Sequence, residues 1–161
     1  MAAGQPEAAE VLHEAITPRD DVRRAAYIDV DAAVVADVEA RLDARRDAIA
    51  AFFGVPLTAR EGAGFVRYPD GGFYKPHRDR ADLPAWPDAA RRRIAVVVFL
   101  NSSLDCDPGG DFSGGVLRLL EDRALDLVPR LGTLIAFSAD RLHEVTTVRG
   151  GFRDALVDWF Y

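Results

Sequence analysis

The sequence predicts a mainly β fold with supporting α-helix, in which a helix packs outside a two-sheet antiparallel sandwich or jelly roll. Three observations lead there. One helical apolar repeat occupies residues 31–53, and short strand-like runs separated by turn residues fill the chain after Gly62. The run Ile94-Ala95-Val96-Val97-Val98-Phe99-Leu100 does not alternate, which asks for cover on both faces of a central strand.

Taken in order, residues 1–20 are rich in Ala and Glu with Pro6 and Pro18, and read as a loosely held end. In the helix, Val34, Val38 and Leu42 recur at four-residue steps, joined by Val35, Ile49, Phe52 and Phe53 on a broad apolar face. Asp31 is its expected N-cap, and Gly54 with Pro56 its stop. The expected strands are 64–68, 72–79, 93–101, 115–121, 132–138, 143–148 and 152–160. Between them lie Pro69-Asp70-Gly71, a long loop over 80–92, an Asp/Gly-rich loop over 105–114 and Arg149-Gly150-Gly151, all rich in residues that tolerate tight turns.

Length and composition narrow the function classes. A chain of 161 residues suits one domain, with 1–60 as helical support and 62–161 as a β core. With 49% hydrophobic residues it can bury a proper core. The net charge of −6 gives no global basic footprint, so no nucleic-acid partner is expected. No apolar run reaches the ~18 residues of a membrane span. The first residues lack the order of a secretory signal, and the single cysteine, Cys106, points to a reducing compartment. A cytoplasmic location is the expectation.

The residues able to do chemistry are few. Of three histidines, His77 and His143 fall in the β region, and His13 reads as an ordinary surface residue. In an extended strand residues i and i+2 share a face, so His77 and Asp79 point to one side. With His143 they make two imidazoles and one carboxylate, the facial set of non-haem Fe(II) sites. The alternative is a surface histidine beside a solvated aspartate.

The last two strands suggest a hairpin around Gly150, with His143 opposite Val157 and Thr147 opposite Arg153. Its parity puts His143, Val145, Thr147, Arg153, Ala155, Val157 and Trp159 on one face. Arg153 is then a guanidinium on an apolar face, while Asp154 and Asp158 point away. An acid elsewhere pairs with it, it snorkels to the rim, or a ligand carboxylate meets it. Roughly 13 Å of strand between the His143 and Thr147 Cα atoms would leave room for a five-carbon dicarboxylate between imidazole and guanidinium.

Several ordered segments carry a family resemblance. They are Tyr68-Pro69-Asp70-Gly71-Gly72-Phe73-Tyr74-Lys75-Pro76-His77-Arg78-Asp79, Phe112-Ser113-Gly114-Gly115-Val116-Leu117-Arg118-Leu119, Pro129-Arg130-Leu131-Gly132-Thr133-Leu134-Ile135-Ala136-Phe137 and His143-Glu144-Val145, with Arg153 ahead of Trp159-Phe160. Over residues 62–161 the chain resembles the 2-oxoglutarate- and Fe(II)-dependent dioxygenases, specifically the prolyl 4-hydroxylase-like branch.

That resemblance implies a double-stranded β-helix (a cupin-like jelly roll) with N-terminal helices packed on one sheet. It implies His77, Asp79 and His143 as iron ligands, Arg153 as the holder of the distal carboxylate of 2-oxoglutarate, and Tyr68 as a donor beside the co-substrate. The implied cofactors are Fe(II), 2-oxoglutarate and O2, with ascorbate as reductant. The implied reaction hydroxylates a C–H bond of a prolyl, amino-acid-like or small biosynthetic substrate and releases succinate and CO2. Phe99 stands where hypoxia-type prolyl hydroxylases place a co-substrate-binding tyrosine, and it cannot donate a hydrogen bond.

Other features carry less. His77-Arg78-Asp79 spells a kinase fragment, without the phosphate loop a kinase needs. The basic cluster Arg67, Lys75, Arg78, Arg80 and Arg91-Arg92-Arg93 reads either as solvated or as the mouth of a cavity for an acidic substrate. The loop 80–92 is long enough to be a lid, with Trp86 either closing over substrate or packing on the barrel edge. The rival function is a non-catalytic cupin-like module that binds a metal or ligand as a sensor.

Overall fold

The structure, a computed structural model, describes residues 7–8, 21–121 and 123–161. The expected loose end and surface His13 lie outside the described residues, apart from one short strand. In chain order the strands and helices are β1 (Glu7–Ala8), β2 (Arg23–Arg24), β3 (Ala26–Tyr27), α1 (Ala32–Asp43), α2 (Arg46–Phe53), β4 (Gly64–Tyr68), β5 (Phe73–His77) and β6 (Ile94–Phe99). Then come β7 (Ser113–Gly114), β8 (Leu117–Leu119), β9 (Leu125–Leu127), β10 (Leu134–Ser138), β11 (His143–Val145), β12 (Val148–Arg149) and β13 (Arg153–Phe160).

Antiparallel pairing arranges them as a large sheet, β1-β3-β4-β13-β6-β10, and a smaller one, β2-β5-β11-β8-β9, with β7 and β12 paired at one end. This is the expected jelly roll. The uninterrupted apolar run of β6 has both faces covered. Ile94 and Val96 join Phe65, Leu156 and Phe160 beneath Leu42 and Ile49 of the helices. Ala95, Val97 and Phe99 face the other way, with Phe137 of the neighbouring β10, against Leu117 and Leu119 of the small sheet. β13 splits likewise, with Leu156 and Phe160 under the helices and Ala155 between the sheets.

The expected single helix over 31–53 is two. Asp31 caps the first, its carboxylate accepting from the Ala33 N–H at 2.8 Å. The chain then tightens to an i−3 bond from Arg45 N–H to Leu42 C=O, and α2 runs on to Gly54 at φ 65°. Because the direction changes there, Phe52 is 82% exposed rather than part of the packed face. A buried carboxylate helps dock the helices. Asp158 accepts from Gly62 N–H at 3.0 Å and from Arg60, whose Nε donates to Asp43 of α1 at 2.9 Å.

The expected hairpin of residues 143–160 does not form. β11 pairs with β5 and β8 in the small sheet, with His143 opposite His77 and Leu119. β13 lies in the large sheet, with Arg153 opposite Tyr68 and Val157 opposite Gly64 and Val97. Thr147 is therefore not opposite Arg153, and the intervening segment crosses between sheets. The parity of β13 survives the change because it belongs to the strand alone. The short strands β2 and β3, absent from the sequence reading, extend both sheets with residues from the expected helical support.

Gly115 has φ +60°, and a Cβ there would lie 2.9 Å from both Arg153 Cδ and Phe112 Cε2, whereas Gly132 at φ +79° has nothing within 4 Å. Gly132→Ala should cost about 1–2 kcal/mol for the left-handed backbone alone. Gly115→Ala should cost more, by about 1–3 kcal/mol of overpacking. Urea unfolding of both variants, with equal slopes, checks the order. Asp158→Ala, which leaves the Gly62 N–H and one edge of Arg60 without an acceptor while Asp43 still pairs that guanidinium, should lower stability by about 1–3 kcal/mol in the same assay.

Candidate active site

Between the sheets lies a cavity whose wall includes His77, Asp79, His143, Tyr68, Arg153 and Trp159. His77 ends β5 and His143 begins β11, so cross-strand pairing sets the two rings 4.1 Å apart, centroid to centroid. Asp79 sits in a bend beyond the end of β5, not within an extended strand as expected. Its carboxylate nevertheless reaches both rings, with Oδ1 3.5 Å from His77 Nε2 and Oδ2 3.6 Å from His143 Nε2. One donor atom from each of the three lies within 4.8 Å of the others.

The protonation pattern suits a metal. His77 Nδ1 lies 2.8 Å from the Lys75 carbonyl, and His143 Nδ1 lies 2.9 Å from the Arg141 carbonyl. A carbonyl only accepts, so each Nδ1 carries the proton and each Nε2 turns its lone pair toward Asp79. Burial pushes the His143 imidazole below its usual pKa, favouring the neutral form a metal needs. For Asp79 burial works against ionisation, but the charge that the His143 and His77 rings carry once protonated in acid outweighs it and holds the carboxyl well below the usual range. Tyr74 stacks on His77 at 3.4 Å, and the edge of Phe137 meets His143 at 4.8 Å, fixing both rings.

Arg153 enters the same cavity from β13 and is 1% exposed. Its guanidinium lies 5.0 Å from the Tyr68 ring and 5.3 Å from the Phe99 ring, and its buried Nε has no hydrogen-bond partner. The neighbouring acid does not serve it, because Asp154 forms a two-pronged pair with Arg67 on the other face, at 2.8 and 2.7 Å. Burial therefore lowers the Arg153 pKa. Tyr68, at 3% exposure, is packed beside this guanidinium.

All the site residues expected from sequence converge on one cavity. Phe99, the expected departure, presents only an apolar ring. Trp86 also lines the wall with its indole N–H buried and unpartnered, so the loop 80–92 folds over the site, closed by a 3₁₀ turn at Pro87–Arg91. The basic cluster largely resolves into ion pairs, of Arg67 with Asp154, Arg80 with Asp140 and Arg91 with Asp88. Arg92 alone of the cluster lines the cavity.

Arg23 and Arg92 are wall residues that the sequence reading missed as individuals. Arg23 sits over the Tyr74 ring at 4.7 Å from a two-residue strand too short to show a period. Arg92 was legible only as one of three consecutive arginines. Cys106 is no part of the site. Its thiol donates to the Pro129 carbonyl at 3.1 Å. Among the described residues, no helix is long and apolar enough to cross a membrane.

Comparison with known proteins agrees with this geometry. The family model of the 2OG-Fe(II) oxygenase superfamily matches residues 63–161. A prolyl 4-hydroxylase of Pseudomonas putida is 32% identical, with a TM-score of 0.69 over 88% of this chain and 74% of that one. A prolyl hydroxylase of Trichoplax adhaerens, solved with a peptide of the hypoxia inducible factor oxygen degradation domain, is 20% identical with a TM-score of 0.76, covering 97% and 70% of the two chains. The viral collagen prolyl hydroxylase of Paramecium Bursaria Chlorella virus-1, in complex with 2-oxoglutarate, is 16% identical with a TM-score of 0.62, covering 86% and 77%. No curated protein matches by sequence. With a cavity that joins an imidazole–carboxylate–imidazole set to a buried arginine, and a family match that runs from β4 through β13, the chain belongs to the 2-oxoglutarate- and Fe(II)-dependent oxygenase superfamily as a dioxygenase of the prolyl 4-hydroxylase-like branch.

Proposed function

We propose that this protein hydroxylates an unactivated C–H bond of a prolyl, amino-acid-like or small biosynthetic substrate, consuming 2-oxoglutarate and releasing succinate and CO2. One observation carries the assignment of its residues: a neutral-nitrogen and carboxylate donor set and a buried guanidinium with an orphaned Nε share one cavity. His77, Asp79 and His143 hold ferrous iron. Arg153 holds the distal carboxylate of 2-oxoglutarate, with the Tyr68 hydroxyl as a second donor. The donor set fits the metal, since two imidazoles and a carboxylate leave sites open for a chelating keto acid and O2.

When bound, iron and 2-oxoglutarate supply O2 activation coupled to oxidative decarboxylation, and the protein supplies position and dryness. The Lys75 and Arg141 carbonyls keep the imidazole protons on Nδ1, so both Nε2 atoms remain free to bind. Val97, Leu117, Val145 and Val157 wall the cavity in hydrocarbon, excluding water from the reacting end. A fork of N–H donors in that dry wall is shaped for one carboxylate. Phe99 contributes no hydrogen bond, so Arg153 and Tyr68 bear the recognition of that end.

Anaerobic addition of Fe(II) and 2-oxoglutarate should raise a visible charge-transfer band, and His143→Ala should abolish it. A folded wild-type protein with no band at saturating ligand would refute the assignment. Arg153→Met should weaken 2-oxoglutarate binding by about 10–100-fold, the worth of a charge-assisted hydrogen bond of ~1.5–3 kcal/mol, while leaving metal affinity intact. The same variant should unfold at an equal or higher temperature without ligands, because an unpaired buried charge is removed. Calorimetric titration and thermal melts read the two effects separately.

A further inference from the structure

The strand ladder that aligns the two histidines stops before the third donor. The last residue of β5 is His77, and Asp79 lies in the bend beyond it. Something other than sheet pairing must hold that carboxylate. Its main chain is gripped from two sides, with the Asp79 N–H donating to the Ala139 carbonyl at 3.0 Å and the Asp79 carbonyl accepting from Arg92 Nη1 at 3.1 Å.

Arg92 is 5% exposed and uses its guanidinium in three directions. One edge forks onto the Glu61 carboxylate, through Nε at 2.6 Å and through Nη2. The remaining edge makes the bond to the Asp79 carbonyl. Its face lies 3.7 Å from the Trp159 ring, and the indole N–H of Trp159 faces the Asp79 carboxylate without closing a hydrogen bond of normal geometry. Arg92 therefore braces both the backbone of Asp79 and the ring beside its carboxylate. The root of Arg92 is itself fixed, its N–H bonding to Ala89 C=O and the next N–H, that of Arg93, to Phe160 C=O at 2.8 Å.

We propose that Arg92, aimed by Glu61, is the positioning residue for the carboxylate ligand and sets metal affinity through Asp79 without touching the metal. This rests on Asp79 being a metal ligand, as assigned above. Partners outside the ligand shell typically contribute 10–100-fold in metal affinity. An ammonium gathers its three donors on one nitrogen and has no flat face, so lysine at position 92 cannot serve fork, carbonyl and ring together. A plain structural ion pair between Glu61 and Arg92 would instead change fold stability and leave the metal site as it was.

The test uses Co(II), which reports its coordination by visible absorption, titrated into the apo full chain. Arg92→Lys should weaken Co(II) binding by about 10–100-fold and alter the absorption. Glu61→Gln, at a partly exposed position where folding is not at risk, should show a smaller loss in the same direction. Arg67→Gln, which breaks the comparable pair with Asp154 away from the cavity, should bind Co(II) like wild type. If Glu61→Gln and folded Arg92→Lys lower the melting temperature yet keep wild-type Co(II) affinity and spectrum, the positioning role is overturned. If Asp79→Ala itself binds Co(II) as wild type does, the ligand assignment is what fails, and the positioning role falls with it.

Discussion

A guanidinium at the floor of a hydrocarbon pocket is the constraint on which the site turns. Removing such a charge from water costs several kcal/mol unless something answers it. Arg153 receives two aromatic faces, Tyr68 and Phe99, and among the described residues no carboxylate pairs with it. The nearest acid in sequence, Asp154, is committed to Arg67 on the opposite face by strand alternation. The fold thus keeps an unsettled positive charge in the same cavity as His77, Asp79 and His143. A dianion bridging the two would settle both ends at once.

The two ends come from different sheets. Arg153, Tyr68 and Trp159 belong to the large sheet and its final strand, while His77 and His143 belong to the small one. The apolar layer of Ala95, Val97, Phe99, Leu117, Leu119 and Phe137 fixes their separation. Any repacking of that layer changes the gap between guanidinium and imidazoles, so core volume and the span of the cavity are one quantity. The helices act from behind, through Leu42, Ile49 and the Arg60–Asp158 link, by stiffening the sheet that carries Arg153.

Much of this was legible in the residues. The β6 run announced a strand covered on both sides, Asp31 and Gly54 announced helix ends, and parity alone put Arg153, Val157 and Trp159 together. What failed were inferences joining neighbours in sequence. Residues 143–160 look like a hairpin, because nothing local reveals that the chain leaves one sheet for the other between Val145 and Arg153. The pairing of His77 with Asp79 was right in outcome, though the strand assumed to cause it ends at His77. The actual support, Arg92 with Glu61, joins residues 31 positions apart and leaves no periodic trace. β2 and β3 are two residues each, below the length at which any alternation is visible.

The imidazole protons of His77 and His143 rest on main-chain carbonyls two residues upstream in each case. Many metal sites entrust that task to a carboxylate side chain, which a single substitution can erase. Here the instruction is written into the peptide backbone, and every amino acid at positions 75 and 141 brings the same oxygen. Those two positions are consequently at liberty to drift, to Ala, Ser or Glu alike, with the tautomer of each ring handed down unchanged.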